Sequence, residues 1–406
     1  MNCRHCGSRL KHTFLDLGFA PPSNAYLTEA DLCKPEKYYP LKVMVCGQCW
    51  LVQTEDYAEA AELFNNDYAY FSSTSKSWLE HARNYAEEVT RRFELHAESL
   101  VIEVASNDGY LLKNFVCAGI PCLGIEPTVS TAEVAEQIGV PVMREFFGES
   151  LGNRLANEGR RADLIVGNNV YAHVPDVNDF TRGLKAALKP NGVITLEFPH
   201  LMRLLESAQF DTIYHEHFSY LSLSIVVRIF EAAGLRVWDV EELSTHGGSL
   251  RVYGCHSFDE RSTTHAVIDM LSEENARGLQ DLEAYSNFQI LAEKIKNDFV
   301  AFLIDQKRNG KSVVAYGAAA KGNTLLNYAG VKADLLPYVC DAAEAKQGKF
   351  LPGTHIPVMP PVEIFQQDPD YVVIFPWNIA EEVVSFLSPR LSSTQFVIAV
   401  PEFRIL

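Results

Sequence analysis

Apolar residues in this chain gather into short continuous runs, and the runs fall into two blocks separated by one long helical stretch. The first block opens at Leu100-Val-Ile-Glu-Val104, short and apolar enough to be a buried strand. A polar turn over residues 106–109 follows, and a helix is expected from Tyr110. Further strands are expected at 121–127, 140–143, 162–169 and 192–200, with helices between them. Residues 235–240 and 249–254 read as an antiparallel hairpin at the sheet edge. Alternating strands and helices of this kind build an α/β unit around a parallel sheet. Over residues 279–308, Phe288, Leu291, Ile295, Phe299 and Phe302 recur at spacings of three and four, so one helix face is expected to be buried. The second block has strands expected at 312–317, 336–341, 371–376 and 396–401, with a helix entered through residues 318–324. Ahead of both blocks, Pro21-Pro22 and Tyr38-Tyr39-Pro40 read as loop and extended chain. The pattern divides the chain at 1–66, 67–260 and 261–406.

Composition narrows the classes of function. A length of 406 residues suits two or three domains, and 47% hydrophobic content supplies their cores. The net charge of −17 disfavours a nucleic-acid partner, because phosphate binding needs a basic surface. It leaves room for an anionic small molecule in a local basic pocket. No run approaches the length of a membrane span. The start, Met1-Asn-Cys-Arg-His-Cys6, lacks the apolar core of a signal peptide. A cytoplasmic location, no membrane association and a monomeric state are the expectations.

The nine cysteines include two matched knuckles, Cys3-Arg-His-Cys6 and Cys46-Gly-Gln-Cys49. Each Cys-x-x-Cys turns two thiolates toward one point, and two knuckles complete a tetrahedral zinc site. With Cys3, Cys6, Cys46 and Cys49 all protein ligands, the site is closed and its zinc structural. A redox pair or merely buried thiols is the plainer alternative. A module this small needs such a staple, because its own core is thin.

The turn after the first strand carries the cofactor question. A strand running into a helix aims the free N–H groups of the helix start at whatever lies above. The glycine slots of a phosphate cradle are filled here by Ala105, Asn107 and Gly109. Glu103 and Asp108 flank the turn, and carboxylates repel phosphate while suiting a cation such as the sulfonium of S-adenosylmethionine (SAM). An ordinary βα turn is the bland alternative. Glu126 closes the second strand, where an acid accepts from ribose hydroxyls, which fits SAM and NAD equally. Phe146 and Phe147 are placed to stack on adenine or to fill the core. Asn168 and Asn169 close the fourth strand, where open α/β sheets bind ligands. This order matches class I SAM-dependent methyltransferases better than dehydrogenases.

The most unusual run is Tyr214-His-Glu-His-Phe-Ser-Tyr220. Such a cluster is costly to bury unless hydrogen-bonded, and it is also what general acid–base chemistry needs. A second metal site is the rival reading, without the His-Glu-x-x-His spacing of a helical metal pair. A purely structural cluster is the third. His173 falls in the crevice region, and Tyr68 and Tyr70 belong to an aromatic stretch read as a connector or a lid. His246, ahead of Gly247-Gly248, suggests close approach to a ligand. In the second block, Lys321 at the first βα turn can pair with a phosphate, unless that half holds no ligand of its own.

Taken in order, the knuckles, Glu103-Val-Ala-Ser-Asn-Asp-Gly109, Asn168-Asn-Val-Tyr-Ala-His-Val-Pro-Asp176, Tyr214–Tyr220, His246-Gly-Gly-Ser-Leu-Arg-Val-Tyr253 and Gly317-Ala-Ala-Ala-Lys-Gly-Asn-Thr324 carry a resemblance over nearly the whole chain. It resembles the zinc-containing, SAM-dependent nucleotide-deoxysugar C-methyltransferases of antibiotic-sugar pathways. The resemblance implies a class I methyltransferase domain with a Rossmann-like sheet, an N-terminal four-cysteine zinc-binding module and a C-terminal Rossmann-like α/β domain. It implies a TDP-linked 4-keto-6-deoxy sugar as substrate and methyl transfer to its C-3. His217 would be the base, with Tyr214 and Glu216 beside it and Tyr68 and His173 lining the same pocket. Glu103, Ala105, Asn107, Gly109, Glu126, Phe146, Asn168 and Asn169 would hold SAM. Tyr70, His246, Lys321 and Asn323 would hold the sugar nucleotide. An O- or N-methyltransferase of another small molecule, or a zinc-ribbon RNA methyltransferase, are the competing functions.

Overall fold

A computed structural model describes residues 1–55, 57 and 72–406. Tyr68 and Tyr70 lie outside the described residues. The chain begins with strands β1 (His12–Ala20), β2 (Tyr39–Val45) and β3 (Val52–Thr54). Helix α1 (Lys76–Arg92) leads to β4 (Val101–Val104), α2 (Leu112–Cys117), β5 (Cys122–Ile125), α3 (Val129–Gln137) and β6 (Val142–Met143). Then come α4 (Glu149–Asn157), β7 (Ala162–Asn168), α5 (Val177–Ala187) and β8 (Leu188–Pro199). Next are α6 (Leu201–Glu206), β9 (Ser219–Tyr220), α7 (Leu223–Ala233), β10 (Leu235–Leu243), β11 (Ser249–His256) and α8 (His265–Ala276). Helices α9 (Glu283–Ser286) and α10 (Phe288–Arg308) reach β12 (Val313–Tyr316), α11 (Ala320–Ala329), β13 (Val339–Cys340) and β14 (Val358–Met359). The chain ends with α12 (Val362–Gln367), β15 (Tyr371–Ile374), α13 (Ala380–Leu387), β16 (Gln395–Ile398) and β17 (Arg404–Ile405).

Among the described residues, three sheets result. The central one has the order β10-β11-β8-β7-β4-β5-β6. Its strands from β8 across to β6 run parallel, while β11 lies antiparallel against both β8 and β10. The order reverses at β4, so the turns after β4 and β7 open on one crevice, where such sheets bind ligands. The C-terminal sheet, β14-β13-β12-β15-β16-β17, is parallel apart from the antiparallel β17. The N-terminal sheet, β1-β2-β3-β9, takes its fourth strand from the Tyr214–Tyr220 run: Gln53 pairs with Ser219 and Val52 with Tyr220.

The N-terminal module borrows its core. Phe14, Leu15 and Val43 from β1 and β2 share one cluster with Phe288, Ile295 and Phe299 of α10 and Leu325 and Leu326 of α11. Phe14 lies 4.7 Å from Phe288 and 5.6 Å from Tyr285, ring centre to ring centre. At the other end of the lobe, Cys3, Cys46 and Cys49 pack with Leu10, Met44 and Leu51 in the cluster that fills the central sheet.

Several expected boundaries move. Tyr110 and Leu111 belong to the turn, and α2 starts at Leu112. The long helix over 279–308 is two helices that meet at Asn287. Its buried face runs through Ala292 and Leu303, whereas Leu291 points outward and is 39% exposed. No helix among the described residues is long and apolar enough to cross a membrane.

Candidate active site

The crevice above β4 and β7 deepens into a cavity of about 1000 Å³, closed on its far side by the C-terminal sheet's first turn. Three parts of the chain line it. The turn after β4 contributes Ala105, Asn107 and Tyr110, the end of β5 contributes Glu126, and Phe146 and Phe147 follow β6. Ala105 and Asn107 have φ of 58° and 49°, so non-glycine residues adopt the left-handed conformation that the glycine slots of a cradle would need. The backbone N–H of Asn107 donates to Glu126 Oε2 at 3.0 Å, and that of Thr128 donates to Oε1 at 2.8 Å. Burial nonetheless raises the Glu126 pKa above the ordinary carboxylate value. Phe147 packs on Phe180, ring centres 5.2 Å apart, while Phe146 stays 56% exposed at the rim. Asn168 reaches the wall from β7, and its buried side-chain amide meets no protein partner on either atom. An orphaned amide in a ligand crevice fits a polar ligand that supplies both a donor and an acceptor.

Three expected cofactor and substrate contacts are not brought to this wall. Glu103 lies beneath the turn, where burial holds its carboxyl well above the ordinary pKa, with the charges of Asp108 and Glu126 adding to the effect. Burial therefore disfavours the negative charge expected of it. Gly109 turns its Cα toward α3: an added Cβ would meet Ala135, Ile138 and Val140, each at 3.1 Å. Its φ of 76° serves close helix packing. Asn323 is buried inside α11, outside the cavity lining. Glu126 and Glu216 are among the carboxyls that do line the cavity.

The second wall carries the imidazoles. His217 donates from Nδ1 to the Thr212 carbonyl at 2.9 Å, because a carbonyl can only accept. This fixes the tautomer and leaves the Nε2 lone pair. Tyr214 tilts over the His217 ring with centroids 4.0 Å apart, and His173 meets it edge to face at 4.6 Å. Burial, then the neighbouring His173, holds His217 well below the ordinary imidazole pKa. Burial brings His173 down to about 4. Glu216 accepts from Asn24 Nδ2 at 2.7 Å, so a residue of the N-terminal lobe reaches the cavity. His246 has a φ of 53° and bonds through Nε2 to Asn169 Nδ2 at 3.0 Å. Asn169 shares the left-handed conformation, φ 52°. Two non-glycine residues held this way at facing positions mark a wall that the surrounding packing over-determines.

The third wall belongs to the C-terminal sheet. Ala319, Ala320 and Lys321 begin α11, with Lys346 beside them. Lys321 donates to Asn378 Oδ1 at 2.8 Å and lies 4.3 Å from the centre of the Trp377 ring. Burial lowers its pKa to about 8, opposed by the Asp211 carboxylate below. Trp377 ties the two sheets together by donating from Nε1 to Asp211 Oδ2 at 2.8 Å. Lys346 donates to the Ala318 carbonyl at 2.9 Å and stands 3.5 Å from Asp341 Oδ2.

Asn24, Trp78, His81 and Lys346 also line the cavity, and sequence reading passed over all four. None sits in a motif. Only Lys346, five residues beyond the strand-end Asp341, carried a usable signal: a cation near a predicted βα turn.

The four knuckle sulfurs lie within 4.8 Å of one another, with Cys3–Cys49 at 3.5 Å and Cys6–Cys46 at 3.6 Å. A tetrahedral zinc with Zn–S of about 2.3 Å spaces its sulfurs about 3.8 Å apart, so the donor set fits. Gln53 Nε2 donates to Cys3 Sγ at 3.2 Å, an outer contact of the kind that orients a thiolate. Cys33 is exposed and stands outside the cluster.

Comparison with known proteins decides the family. The C-methyltransferase NovU of Streptomyces niveus is 33% identical over 405 residues, all of this chain and 96% of that protein. This chain belongs to the C-methyltransferase family. Three domain families match along it: a zinc binding domain over residues 3–64, a methyltransferase domain over 78–240 and a C-methyltransferase C-terminal domain over 244–401. This C-methyltransferase uses SAM and carries zinc in its N-terminal cysteine cluster. A shorter likeness, 29% identity over 115 residues, joins 27% of the chain to 45% of a ubiquinone biosynthesis O-methyltransferase of Methylobacterium nodulans. Among solved structures, the magnesium protoporphyrin IX methyltransferase of Synechocystis with bound SAH overlaps 44% of this chain and 83% of its own, at 15% identity and TM-score 0.35. A SAM-dependent methyltransferase from Clostridium acetobutylicum overlaps 44% and 92%, at 10% identity and TM-score 0.35.

Proposed function

We propose that this C-methyltransferase methylates C-3 of a TDP-linked 4-keto-6-deoxy sugar through an enolate. The observation that carries the reading is the His217 imidazole. Its proton is committed to the Thr212 carbonyl, which leaves the Nε2 lone pair, and His217 lines the same cavity as Ala105, Asn107 and Lys321. A ketone at C-4 acidifies the C-3 proton, and a neutral imidazole within reach is the base that step needs. His217 Nε2 takes the C-3 proton, and the electron pair moves onto the C-4 oxygen. The Tyr214 hydroxyl is the donor that steadies that oxygen, its ring already seated on His217. SAM, when bound, supplies a sulfonium methyl group as the electrophile. Glu126 and the Asn168 amide hold the nucleoside and amino acid portions of the donor, with Ala105, Asn107, Asn169 and Phe146 around them. Lys321, with Lys346 behind it, takes the diphosphate, and His246 lies along the sugar.

The test is direct. The protein is incubated with SAM and a TDP-4-keto-6-deoxyhexose in deuterated water, and the product is read by NMR. A new carbon-bound methyl at C-3, with deuterium entering C-3 when SAM is withheld, supports the enolate route. Methyl appearing only on oxygen or nitrogen overturns it.

A further inference from the structure

We propose that Arg4, inside the first cysteine knuckle, is a positioning residue that locks the His173 and His217 segments to the zinc module. The proposal rests on the reading of these two histidines as the reacting pair.

Arg4 is itself held on both sides by the metal knuckle. The Gly7 N–H donates to the Cys3 carbonyl at 2.9 Å and the Cys3 N–H to the Ser8 carbonyl at 2.7 Å. The Arg4 N–H donates to Gln53 Oε1 at 3.0 Å, and the same amide donates to Cys3 Sγ. From this fixed base the guanidinium forks. Nη1 donates to the Pro175 carbonyl at 2.7 Å, and Nη2 donates to the Thr54 carbonyl at 3.0 Å. The guanidinium carbon lies 5.3 Å from the centre of the Phe218 ring.

Each of those partners leads to a histidine. Pro175 follows His173 by two residues, and Phe218 follows His217 directly. Thr54 Oγ1 donates to the His217 carbonyl at 3.2 Å, and the Thr54 N–H donates to the Phe218 carbonyl at 3.2 Å. The Phe218 N–H closes the loop by donating to the Ala172 carbonyl at 2.8 Å. One planar cation thus spans β3, the His173 segment and the His217 segment. A rigid fork of donors can bridge two carbonyls while stacking on a ring, and a lysine ammonium cannot do all three. The Phe218–Ala172 and Thr54–His217 bonds survive without Arg4, so the segments stay joined but lose their common reference. Displacement on the order of 1 Å between reacting groups costs about a hundredfold in rate.

The experiment uses full-length, zinc-loaded protein carrying Arg4→Lys or Arg4→Met, with Phe218→Leu as a variant that removes only the stacking face. Histidine side-chain NMR without substrate, zinc content, melting temperature, kcat and KM are read together. Movement of the His173 and His217 resonances is expected in all three variants, with zinc content unchanged. A kcat fall of about tenfold or more, KM within about twofold, and Arg4→Lys milder than Arg4→Met complete the expectation. Unmoved histidine resonances overturn the proposal. So does a kcat loss that merely tracks lost zinc or lost folded protein. The resonances report without any sugar, so failure of the wild-type enzyme to turn over the TDP-sugar is a separate result that overturns only the substrate reading.

Discussion

His173 and His217 meet edge to face with ring centroids 4.6 Å apart and planes 68° from parallel. Two imidazoles this close in a buried wall cannot both hold a proton charge. Burial therefore keeps both neutral near pH 7, with His173 adding to the effect on His217. As the proposed base, His217 has its free form dominant throughout the neutral range. Its lowered pKa sets the sign of the pH dependence: activity is full at neutral pH and falls only on acidification below the ordinary imidazole value of about 6.5. A kcat profile that instead titrates at the ordinary imidazole value removes His217 from the role.

Replacing the proposed base is the companion measurement. His217→Asn keeps a polar side chain of similar reach and removes the proton acceptor. C-methylation is expected to fall by about 10²–10⁴-fold, with SAM affinity by calorimetry near that of the wild type. Undiminished turnover moves the base elsewhere in the cavity.

Lys321 gives the other limb. Burial lowers its ammonium to about 8, so the cation proposed to take the diphosphate is present below that pH and lost above it. kcat/KM for the sugar nucleotide is expected to fall as pH rises through about 8, through KM and not kcat. Lys321→Met is expected to raise KM at pH 7 and to flatten this alkaline limb. An alkaline limb that persists in Lys321→Met assigns it to another group.

The cysteine cluster predicts a metal-linked outcome. Cys46→Ser removes one of four ligands from a closed site, and metal analysis is expected to show zinc falling well below one per chain, with a lower melting temperature. Full zinc retention would place the metal elsewhere.

Away from the cavity, Glu274 of α8 accepts from His200 Nε2 at 2.7 Å and from the Leu223 and Ser224 N–H groups at the start of α7. All of this is buried. Glu274→Ala strands His200 and two helix-end donors, and a loss of about 3–5 kcal/mol is expected in denaturant unfolding. A loss below about 1 kcal/mol would mean that water enters and replaces the carboxylate.

Apolar runs marked the strands well, because a parallel sheet buried on both faces must be continuously hydrophobic. They marked edges poorly. β14 and β17 are two residues each, too short for any period to register. The turn after β4, read as a ligand turn, lines the cavity through Ala105 and Asn107, whereas Glu103 is buried beneath it, where its charged form is disfavoured. Charge at a strand end depends on which face of the sheet the side chain enters, and motif spacing does not carry that. Asn24 and Lys346 were missed for a related reason: each arrives in the cavity by long-range packing, Asn24 from the N-terminal lobe onto Glu216. Leu291 shows the converse: its spacing fits the buried face, yet within α10 it falls at the edge of the stripe made by Phe288, Ala292, Ile295, Phe299 and Leu303 and is left partly exposed.

The pairing of β3 with β9 has a consequence for biosynthesis. The cysteine knuckles and the first three strands leave the ribosome well before Ser219 and Tyr220, so the outer edge of β3 waits unpaired while the whole first half of the central sheet is made. An unpaired strand edge is a template for pairing with another chain. Metal capture by the nascent knuckles can precede closure of that edge, but only the arrival of the histidine-bearing run finishes the N-terminal sheet. Completion of this lobe and placement of the His217 segment are one event in the life of the polypeptide.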